Sequence, residues 1–400
     1  EYSMNITLRE NIDWVGYVDW TIRDFHSYDT ERGSTYNAYL VRDEKTALID
    51  TVKAPYAEDL LQKVSALCPL EKVDFVVCNH AELDHSGALS RAMAAMPTAV
   101  LVCDKKCAEI LAEHFDVSAW KTRIVATGDT ISLGRRTLKF IETPMVHWPE
   151  SMFTYIPEEK LLFSMDAFGQ HYAGAERFDD LSPLDTVMEE AKTYYANIIM
   201  PYGKSVNACL QRIKELEIET IAPSHGIIWR RHTDGILAAY RRWMDFVPKP
   251  KVLIVYDTMW ESTAEMAQAI LEGTAQDGVQ VKLIHLRRTN LTRLATEVLD
   301  AAAVAFGSAT LNSNMMPSVA AALCYLEGLK PRAKSGFAFG SYGWGKGGAE
   351  KLEQRLRDIG WEILCEPIRA KYRPTAEILG QCRRAGKLLA EKALAATANS

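Results

Sequence analysis

Four side chains that commonly bind metals fall within six positions, at His80, Glu82, Asp84 and His85. The apolar run before them, residues 75–79, predicts a buried strand, and the Ser-Gly pair after them predicts a turn. Ligands at the end of a strand are held by a rigid backbone and can converge on one point. Alternation along an extended segment would send His80, Glu82 and Asp84 to one side, and His85 would join them through a local bend. The stretch therefore predicts a metal site rather than a solvated loop.

Three further candidate ligands occur downstream, at His147, Asp166 and His225. Each ends or follows an apolar, strand-like segment and precedes a turn signal. Any one of them alone is more typical of a hydrogen-bonded loop anchor than of a ligand. In chain order, however, H-x-E-x-D-H followed by H, D and H resembles the metallo-β-lactamase superfamily. That resemblance implies a four-layer αββα sandwich in which loops at one end hold two metals.

Glu82 departs from the usual pattern of the superfamily's hydrolases, which typically carry a second His at this place. With Asp84 and Asp166 it brings three carboxylates to one small site. Two carboxylates about 5 Å apart repel by roughly 3 kcal/mol at an effective dielectric of about 20, so three of them need cations nearby. A thiolate-free set of imidazoles and carboxylates suits iron or manganese at least as well as zinc. The ligands alone leave zinc and a hydrolytic reaction open.

The 400-residue chain exceeds the usual size of one domain, and a Pro-punctuated segment, residues 246–251, separates two patterns. Before it, short strands alternate with turns, as in the predicted hairpin of residues 153–163. After it, strands alternate with helices, which predicts a doubly wound parallel sheet. We therefore expect a sandwich domain over residues 1–248 and a parallel-sheet domain over residues 249–400.

The first strand of the second domain leads into residues 258–263, whose hydroxyls and N–H groups at a helix start suit an anion. A plain N-cap by Ser262 or Thr263 is the structural alternative. The stretch resembles the phosphate loop of flavodoxins, S/T-x-x-x-S/T-S/T, at its expected place. In a flavodoxin-like sheet, the loops after the third and fourth strands flank a flavin ring. The predicted FMN contacts are Thr258, Met259, Trp260, Ser262, Thr263, Ser308, Ala309, Thr310, Asn312, Ser341, Tyr342, Gly343, Trp344 and Gly345.

A lactamase-like domain with two metals, followed by a flavodoxin-like domain, resembles one family over essentially the whole chain. This family is the flavodiiron proteins, or A-type flavoproteins, of the rubredoxin:oxygen oxidoreductase type. The resemblance implies FMN, two non-haem irons, and reduction of O2 to water, of NO to N2O, or both, with electrons from rubredoxin or a similar small donor. It also implies a head-to-tail homodimer or a dimer of such dimers. The implied ligands are His80, Glu82 and His147 for one iron, Asp84, His85 and His225 for the other, and Asp166 as the bridge.

Two other functions compete with this interpretation. A zinc metallohydrolase could use the flavodoxin-like domain for docking, and a pure electron carrier could retain a degenerate metal site. The complete ligand set disfavours the electron carrier, whereas Glu82 and the flavin loops disfavour the hydrolase. The ligand set does not determine whether the protein prefers O2 or NO, because the same ligands serve for both gases.

Charge, hydropathy and cysteine content restrict the possible partners and the cellular compartment. The net charge of −6 disfavours a nucleic-acid partner, and no apolar run approaches the ~20 residues that span a bilayer. The eight cysteines include no C-x-x-C pair, which indicates a reducing cytoplasm and no built-in rubredoxin or thioredoxin motif. The last eight residues, 393–400, predict a frayed tail.

Overall fold

The computed structural model describes residues 6–398 and divides the chain into two compact units. The first unit runs to Tyr195 and resumes over Tyr202–Arg241, whereas the second takes in Ala196–Pro201 and continues from Arg242. The domain ranges 1–248 and 249–400 remain a prediction from the sequence. The contacts assign the short segment Ala196–Pro201 to the second unit, although it lies inside the predicted first domain.

The strands of the first unit are short, as the sequence pattern predicted. They are β1 (Ile6–Arg9), β2 (Ile12–Trp14), β3 (Tyr17–Asp19), β4 (Asp24–Phe25), β5 (Tyr28–Asp29), β6 (Ser34–Tyr36), β7 (Tyr39–Arg42), β8 (Thr46–Ile49), β9 (Val73–Val77), β10 (Val100–Cys103), β11 (Lys121–Ile124), β12 (Thr130–Ser132), β13 (Thr137–Glu142), β14 (Met152–Ile156), β15 (Leu161–Met165) and β16 (Thr220–Pro223).

Two sheets and two ribbons result from these strands. The larger sheet has the order β1-β2-β7-β8-β9-β10-β11, and the smaller has the order β12-β13-β14-β15-β16. The ribbons are β3-β6 and β4-β5. Ile49 and Phe75 of the larger sheet share one hydrophobic core with Phe140 and Phe163 of the smaller, so the sheets pack face to face. The hairpin predicted over residues 153–163 is confirmed, since β14 pairs antiparallel with β15.

Helices cover the outer faces of both sheets. They are α1 (Ala57–Leu67), α2 (Leu83–Ser86), α3 (Leu89–Ala95), α4 (Lys105–His114), α5 (Leu184–Tyr194), α6 (Gly203–Ile213) and α7 (Thr233–Met244). In α1 the buried residues Ala57, Leu60 and Val64 recur at helical spacing and join the core that the larger sheet forms on its second face. Phe153 of the smaller sheet packs on Phe168, which in turn packs on Tyr240 of α7. The first unit is therefore the predicted αββα sandwich.

The second unit is a parallel sheet with helices on both faces. Its strands are β17 (Lys251–Asp257), β18 (Gln280–His285), β19 (Ala303–Ser308), β20 (Ser335–Tyr342), β21 (Glu362–Ile363) and β22 (Ile368–Lys371). Its helices are α8 (Ser262–Thr274), α9 (Leu291–Leu299), α10 (Pro317–Leu329), α11 (Gly348–Asp358) and α12 (Ala376–Ala398). The strand order β18-β17-β19-β20-β21, with β22 also beside β20, is that of a flavodoxin-like sheet.

The predicted frayed tail is wrong for the residues up to 398, because α12 continues to Ala398. Leu389 and Ala393 are fully buried in the hydrophobic core that α12 shares with α8 and the sheet. This burial stabilises a helical turn whose alanine-rich sequence has little apolar pattern of its own. Residues 399 and 400 lie outside the described part of the chain.

Candidate metal centre and flavin cavity

All seven candidate ligands follow strands of the sandwich, with Asp84 and His85 in the short helix α2 and the other five in loops. The strands are β9 in the larger sheet and β13, β15 and β16 in the smaller one. The ligand atoms form two groups, each with its atoms within 4.8 Å of one another. The first group is His80, Glu82, His147 and Asp166, and the second is Asp84, His85 and His225. The structure thus brings together every side chain that the sequence proposed for the metals.

The backbone does not stay extended through the first motif, so the expected alternation is wrong for Asp84. Glu82 is extended, with φ −60° and ψ 144°, and the helical turn α2 begins immediately after it at Leu83. The turn is held by hydrogen bonds from the His85 and Ser86 N–H groups to the carbonyl of Glu82. This change of direction separates His80 and Glu82 from Asp84 and His85, and it is the reason that one short motif supplies two groups.

Asp166 lies between the two groups and presents one oxygen to each. Its Oδ2 atom is 3.2 Å from His80 Nε2 and 3.0 Å from His147 Nε2. Its Oδ1 atom is 2.9 Å from His85 Nε2 and 3.3 Å from His225 Nε2. A carboxylate so placed has the geometry of a bridge between two metal positions.

The donor atoms fit metal ions better than they fit one another. Both carboxylate oxygens of Asp84 and both ring nitrogens of His85 are buried without a hydrogen-bond partner. His85 Nε2 is 3.2 Å from Asp84 Oδ2, but the two atoms are not aligned for a hydrogen bond. A buried polar group that is left unsatisfied costs about 1–3 kcal/mol. Oxygen and nitrogen lone pairs that approach closely without hydrogen bonds therefore fit cations bound between them, and this donor set suits iron.

The ionisation of the buried carboxylates also indicates that the site is suited to cations. Burial alone would raise the pKa of Asp166, yet the surrounding imidazoles hold that pKa well below its usual range. Burial also opposes ionisation of Glu82, but hydrogen bonds from His147 and His80 lower its pKa. In return, burial opposes protonation of His225, while the carboxylates around it raise its pKa to about 10. Ionised carboxylates in such a buried place require positive charge nearby, which imidazole protons supply here and which bound metal cations would supply in their place.

Two acceptors behind the histidines fix the orientation of their rings. Glu150 is fully buried, and its Oε1 accepts hydrogen bonds from His80 Nδ1 at 2.7 Å and from the Ala81 N–H at 3.0 Å. The carbonyl of Thr35 accepts from His225 Nδ1 at 2.6 Å. Each acceptor keeps the hydrogen of its ring on Nδ1, so that Nε2 would offer its lone pair once a metal replaces the Nε2 proton. Sequence reasoning missed both acceptors, although an acid three residues after His147 was a possible signal for Glu150.

His171 is a further side chain that the sequence did not single out. Its ring centroid lies 5.1 Å from that of the ligand His225 and 4.7 Å from that of Phe25. Ser34 Oγ is 2.8 Å from His171 Nδ1, and the hydroxyl donates to the Thr35 carbonyl at 3.4 Å. Burial holds the pKa of His171 well below its usual value. The Nε2 atom of the ring is buried without a hydrogen-bond partner.

The second unit contains a cavity of about 800 Å³ at the carboxyl ends of β17, β19 and β20. Its size is in the range of cofactor sites. Eleven of the predicted FMN contacts line it: Met259, Trp260, Ser262, Ala309, Thr310, Asn312, Ser341, Tyr342, Gly343, Trp344 and Gly345. Sequence reasoning missed six further lining residues: Glu261, Glu265, Leu311, Ser313, Tyr372 and Arg373. The last two follow β22, a short strand that the sequence pattern did not reveal.

Thr258, Thr263 and Ser308, the other predicted contacts, are buried and do not line the cavity. Thr258 Oγ1 is buried and has no hydrogen-bond partner, so it is available to donate a hydrogen bond to an anion. Thr263 Oγ1 lies 2.9 Å from Ser341 Oγ, and this contact joins the start of α8 to the end of β20. Ser308 instead supports the backbone, since its hydroxyl accepts from the Met316 N–H at 2.8 Å and donates to the Ala309 carbonyl. The cavity and the start of α8 together fit FMN and its phosphate.

Comparison with known proteins supports both sites. The family model described as ODP family beta lactamase matches residues 35–226, and the flavodoxin model matches residues 254–386. The flavodiiron protein of Giardia intestinalis superposes with a TM-score of 0.97 at 39% identity, over 100% of this chain and 99% of that one. This chain belongs to the flavodiiron protein family. A flavodiiron protein carries FMN and a non-haem diiron centre, in agreement with the cavity and the two ligand groups.

Other flavodiiron relatives have similar lengths. The nitric oxide reductase of Moorella thermoacetica is 45% identical over 98% of this chain and 99% of that protein. The rubredoxin oxygen:oxidoreductase of Desulfovibrio gigas superposes with a TM-score of 0.95 at 36% identity, over 99% of this chain and all of that one. Among residues 6–398 of this flavodiiron protein, no helix has the length and apolar character needed to cross a membrane.

Proposed function

We propose that this flavodiiron protein reduces O2 to water, NO to N2O, or both, with electrons that pass through FMN to the diiron centre. The observation that carries the proposal is the position of Asp166, whose two oxygens face two separate ligand groups within hydrogen-bonding distance of four histidines. Glu82 in the first ligand group, where the superfamily's hydrolases typically carry a His, favours iron over the two zincs of a hydrolase. The flavin cavity in the same chain supplies the means to deliver electrons.

The side chains around the ligands prepare the centre for redox chemistry. When bound, two reduced irons supply electrons and open coordination positions for the gas. Glu150 and the Thr35 carbonyl hold His80 and His225 with Nε2 free. The ligands are almost fully buried, apart from Glu82 and His147 with 14% of each side chain exposed, so access of bulk water is restricted. The His171 ring packs beside that of His225, with a buried Nε2 that has no hydrogen-bond partner.

We also propose a small electron donor such as rubredoxin and a head-to-tail homodimer in which each flavin faces the irons of the opposite chain. A rubredoxin oxygen:oxidoreductase among the relatives supports the donor. The rim of the flavin cavity supports contact with another protein, because Trp260 is 87% exposed and Trp344 is 96% exposed. Exposed tryptophans are typical of protein interfaces. Eight free cysteines support a reducing cytoplasm as the compartment.

Metal analysis combined with a visible spectrum tests the main proposal. Purified protein should contain about two irons and one FMN per chain, and the reduced protein should consume O2 or NO in stoichiometric assays. Measuring both gases under the same conditions establishes the preference. Two zincs, no flavin absorbance and no gas consumption would overturn the proposal in favour of a metallohydrolase.

Mixed dimers test the route of the electrons. One chain carries His80→Ala with Asp166→Ala and lacks metal, while the other carries Ser262→Ala with Thr263→Ala and lacks flavin. Each homodimer should be inactive. The heterodimer should recover about half of the wild-type activity per dimer if the sites are independent and electrons cross between chains. An inactive heterodimer with verified composition would exclude the crossed arrangement.

A further inference from the structure

A row of aromatic rings leads away from the metal ligand His225 within the first unit. The ring centroid of Tyr36 is 6.0 Å from that of His225, with the rings nearly perpendicular. Tyr36 is stacked on Tyr56 at 5.6 Å, and Tyr56 is stacked on Tyr17 at 3.7 Å with an angle of 11° between the rings. Tyr36 is fully buried, whereas Tyr17 and Tyr56 are only partly buried. The row therefore connects the interior at the metal centre with the surface.

The hydroxyls of two of these tyrosines share one carboxylate. Tyr56 donates to Asp19 Oδ2 at 2.8 Å, and Tyr36 donates to the same oxygen at 3.3 Å. The other oxygen, Oδ1, accepts from the N–H groups of Thr21 and Ile22. Burial opposes the ionisation of Asp19, but these hydrogen bonds lower its pKa, so the group is an anion at neutral pH. An ionised carboxylate that accepts from a phenol can take the phenol's proton when the ring loses an electron.

A cation near the Tyr36 ring favours this proton transfer. Lys53 Nζ lies 5.1 Å from the Tyr36 ring centroid and 4.6 Å from that of Phe25. A cation at this distance is attracted to a neutral ring and repelled by a positively charged one. Loss of an electron alone would place a positive ring beside Lys53. Loss of the electron together with a proton to Asp19 leaves a neutral radical and avoids that repulsion.

We propose that Tyr36, Tyr56 and Tyr17 form a relay that carries an oxidising equivalent from the diiron centre to the protein surface. Its function is protection: when O2 leaves the centre oxidised and FMN has no electron to deliver, the relay supplies one. The relay rests on the proposed reaction with O2, which provides the oxidant. It is a second function of the first unit, separate from gas reduction itself.

The electrons and protons of the relay balance at each step. Tyr36 gives one electron to the oxidised centre and its hydroxyl proton to Asp19. Tyr56 then reduces the Tyr36 radical, while Asp19 returns the proton to Tyr36 and takes that of Tyr56. Tyr17 reduces Tyr56 in the same way, Tyr56 recovers its proton from Asp19, and the proton of Tyr17 passes to solvent. A low-molecular-weight thiol from solution finally gives Tyr17 a hydrogen atom, and the thiyl radicals from two such events combine as a disulfide.

Rapid freeze-quench EPR tests the relay in the holoprotein. The irons are reduced with a limiting amount of reductant, so that FMN stays oxidised, and the protein is mixed with excess O2. The wild type should give a tyrosyl radical signal that narrows when the tyrosine rings are deuterated. The Tyr36→Phe variant should lose the signal, the Asp19→Asn variant should give less of it, and the Tyr56→Phe variant should confine it to Tyr36. With added thiol to reset the relay, repeated turnover should inactivate Tyr36→Phe several-fold sooner than wild type.

Tyr194→Phe is the matched control, because the Tyr194 ring is 5.9 Å from that of His225 but lies outside the stacked row. It should keep the wild-type radical signal. Iron and FMN contents are measured for every variant, and the partly exposed Tyr56→Phe and Tyr17→Phe variants replace Tyr36→Phe if that one does not fold. Absence of O2 consumption by the wild type would contradict the proposed function. Normal O2 consumption, with radical yield and inactivation identical in wild type and relay variants, would overturn the relay alone.

Discussion

Glu150 provides the sharpest test of how the protein holds its metals, because it acts on a ligand without being one. It is fully buried and joins His80 Nδ1 to the Ala81 N–H through a single oxygen. Glu150→Gln keeps the shape of the side chain and one acceptor oxygen, but it removes the negative charge. A neutral hydrogen bond in place of a charge-assisted one loses about 1–1.5 kcal/mol, or roughly tenfold in affinity.

A weaker acceptor makes the His80 imidazole less basic, so the iron bound by His80 should be affected first. The tenfold loss lies at the lower end of the roughly 10–100-fold effects seen when such supporting residues are changed. Glu150→Ala should cost more, since it leaves His80 Nδ1 and the Ala81 N–H without an acceptor in a buried place.

The assay is anaerobic competition for ferrous iron against a chelator, with FMN content measured on the same samples. Glu150→Gln should lose one iron per chain at chelator concentrations that leave wild type fully loaded, and FMN should not change. Glu217→Gln is the control, because 76% of the Glu217 side chain is exposed and it pairs with Lys160 at the surface. Wild-type iron affinity in Glu150→Gln would refute the argument that this carboxylate orients and strengthens His80.

Three further predictions concern the bridge, the phosphate loop and a buried acid. Asp166→Asn should lower iron occupancy at both positions with FMN intact, and near-normal iron with normal gas reduction would exclude bridging. Ser262→Ala combined with Thr263→Ala should weaken FMN by about 1–3 kcal/mol per hydroxyl while iron is retained, which a flavin titration checks. Burial raises the pKa of Glu190 to about 7 although Arg32 Nε lies 3.0 Å away. The folded state therefore holds the Glu190 proton more tightly than the unfolded state does. The free energy of unfolding should fall by about 3 kcal/mol as the pH rises from about 4.5 through 7. Glu190→Gln should flatten that fall in denaturant unfolding at pH 5, 6 and 8, and an unchanged slope would contradict it.

Much of the fold and the candidate site followed from short-range patterns in the sequence. The H-x-E-x-D-H motif revealed ligand chemistry because donor atoms are a property of residue type and spacing. The change from hairpins to alternating strands and helices after residues 246–251 indicated two architectures, because periodicity reports which face of an element is buried. Eleven of the fourteen predicted FMN contacts line the cavity for a related reason: loops at the carboxyl ends of parallel strands meet at one edge.

Tertiary structure alone decided which side chains support these sites. Glu150 lies 70 positions from His80, the Thr35 carbonyl lies 190 positions from His225, and Ser34 lies 137 positions from His171. No local pattern relates such distant segments, because their hydrogen bonds exist only once the sheets have packed. The extension of α12 to Ala398 has the same origin, because Leu389 and Ala393 are buried in a core shared with α8 and the sheet. The sequence determined which atoms could bind iron and flavin, whereas long-range packing determined their orientation, charge and neighbours.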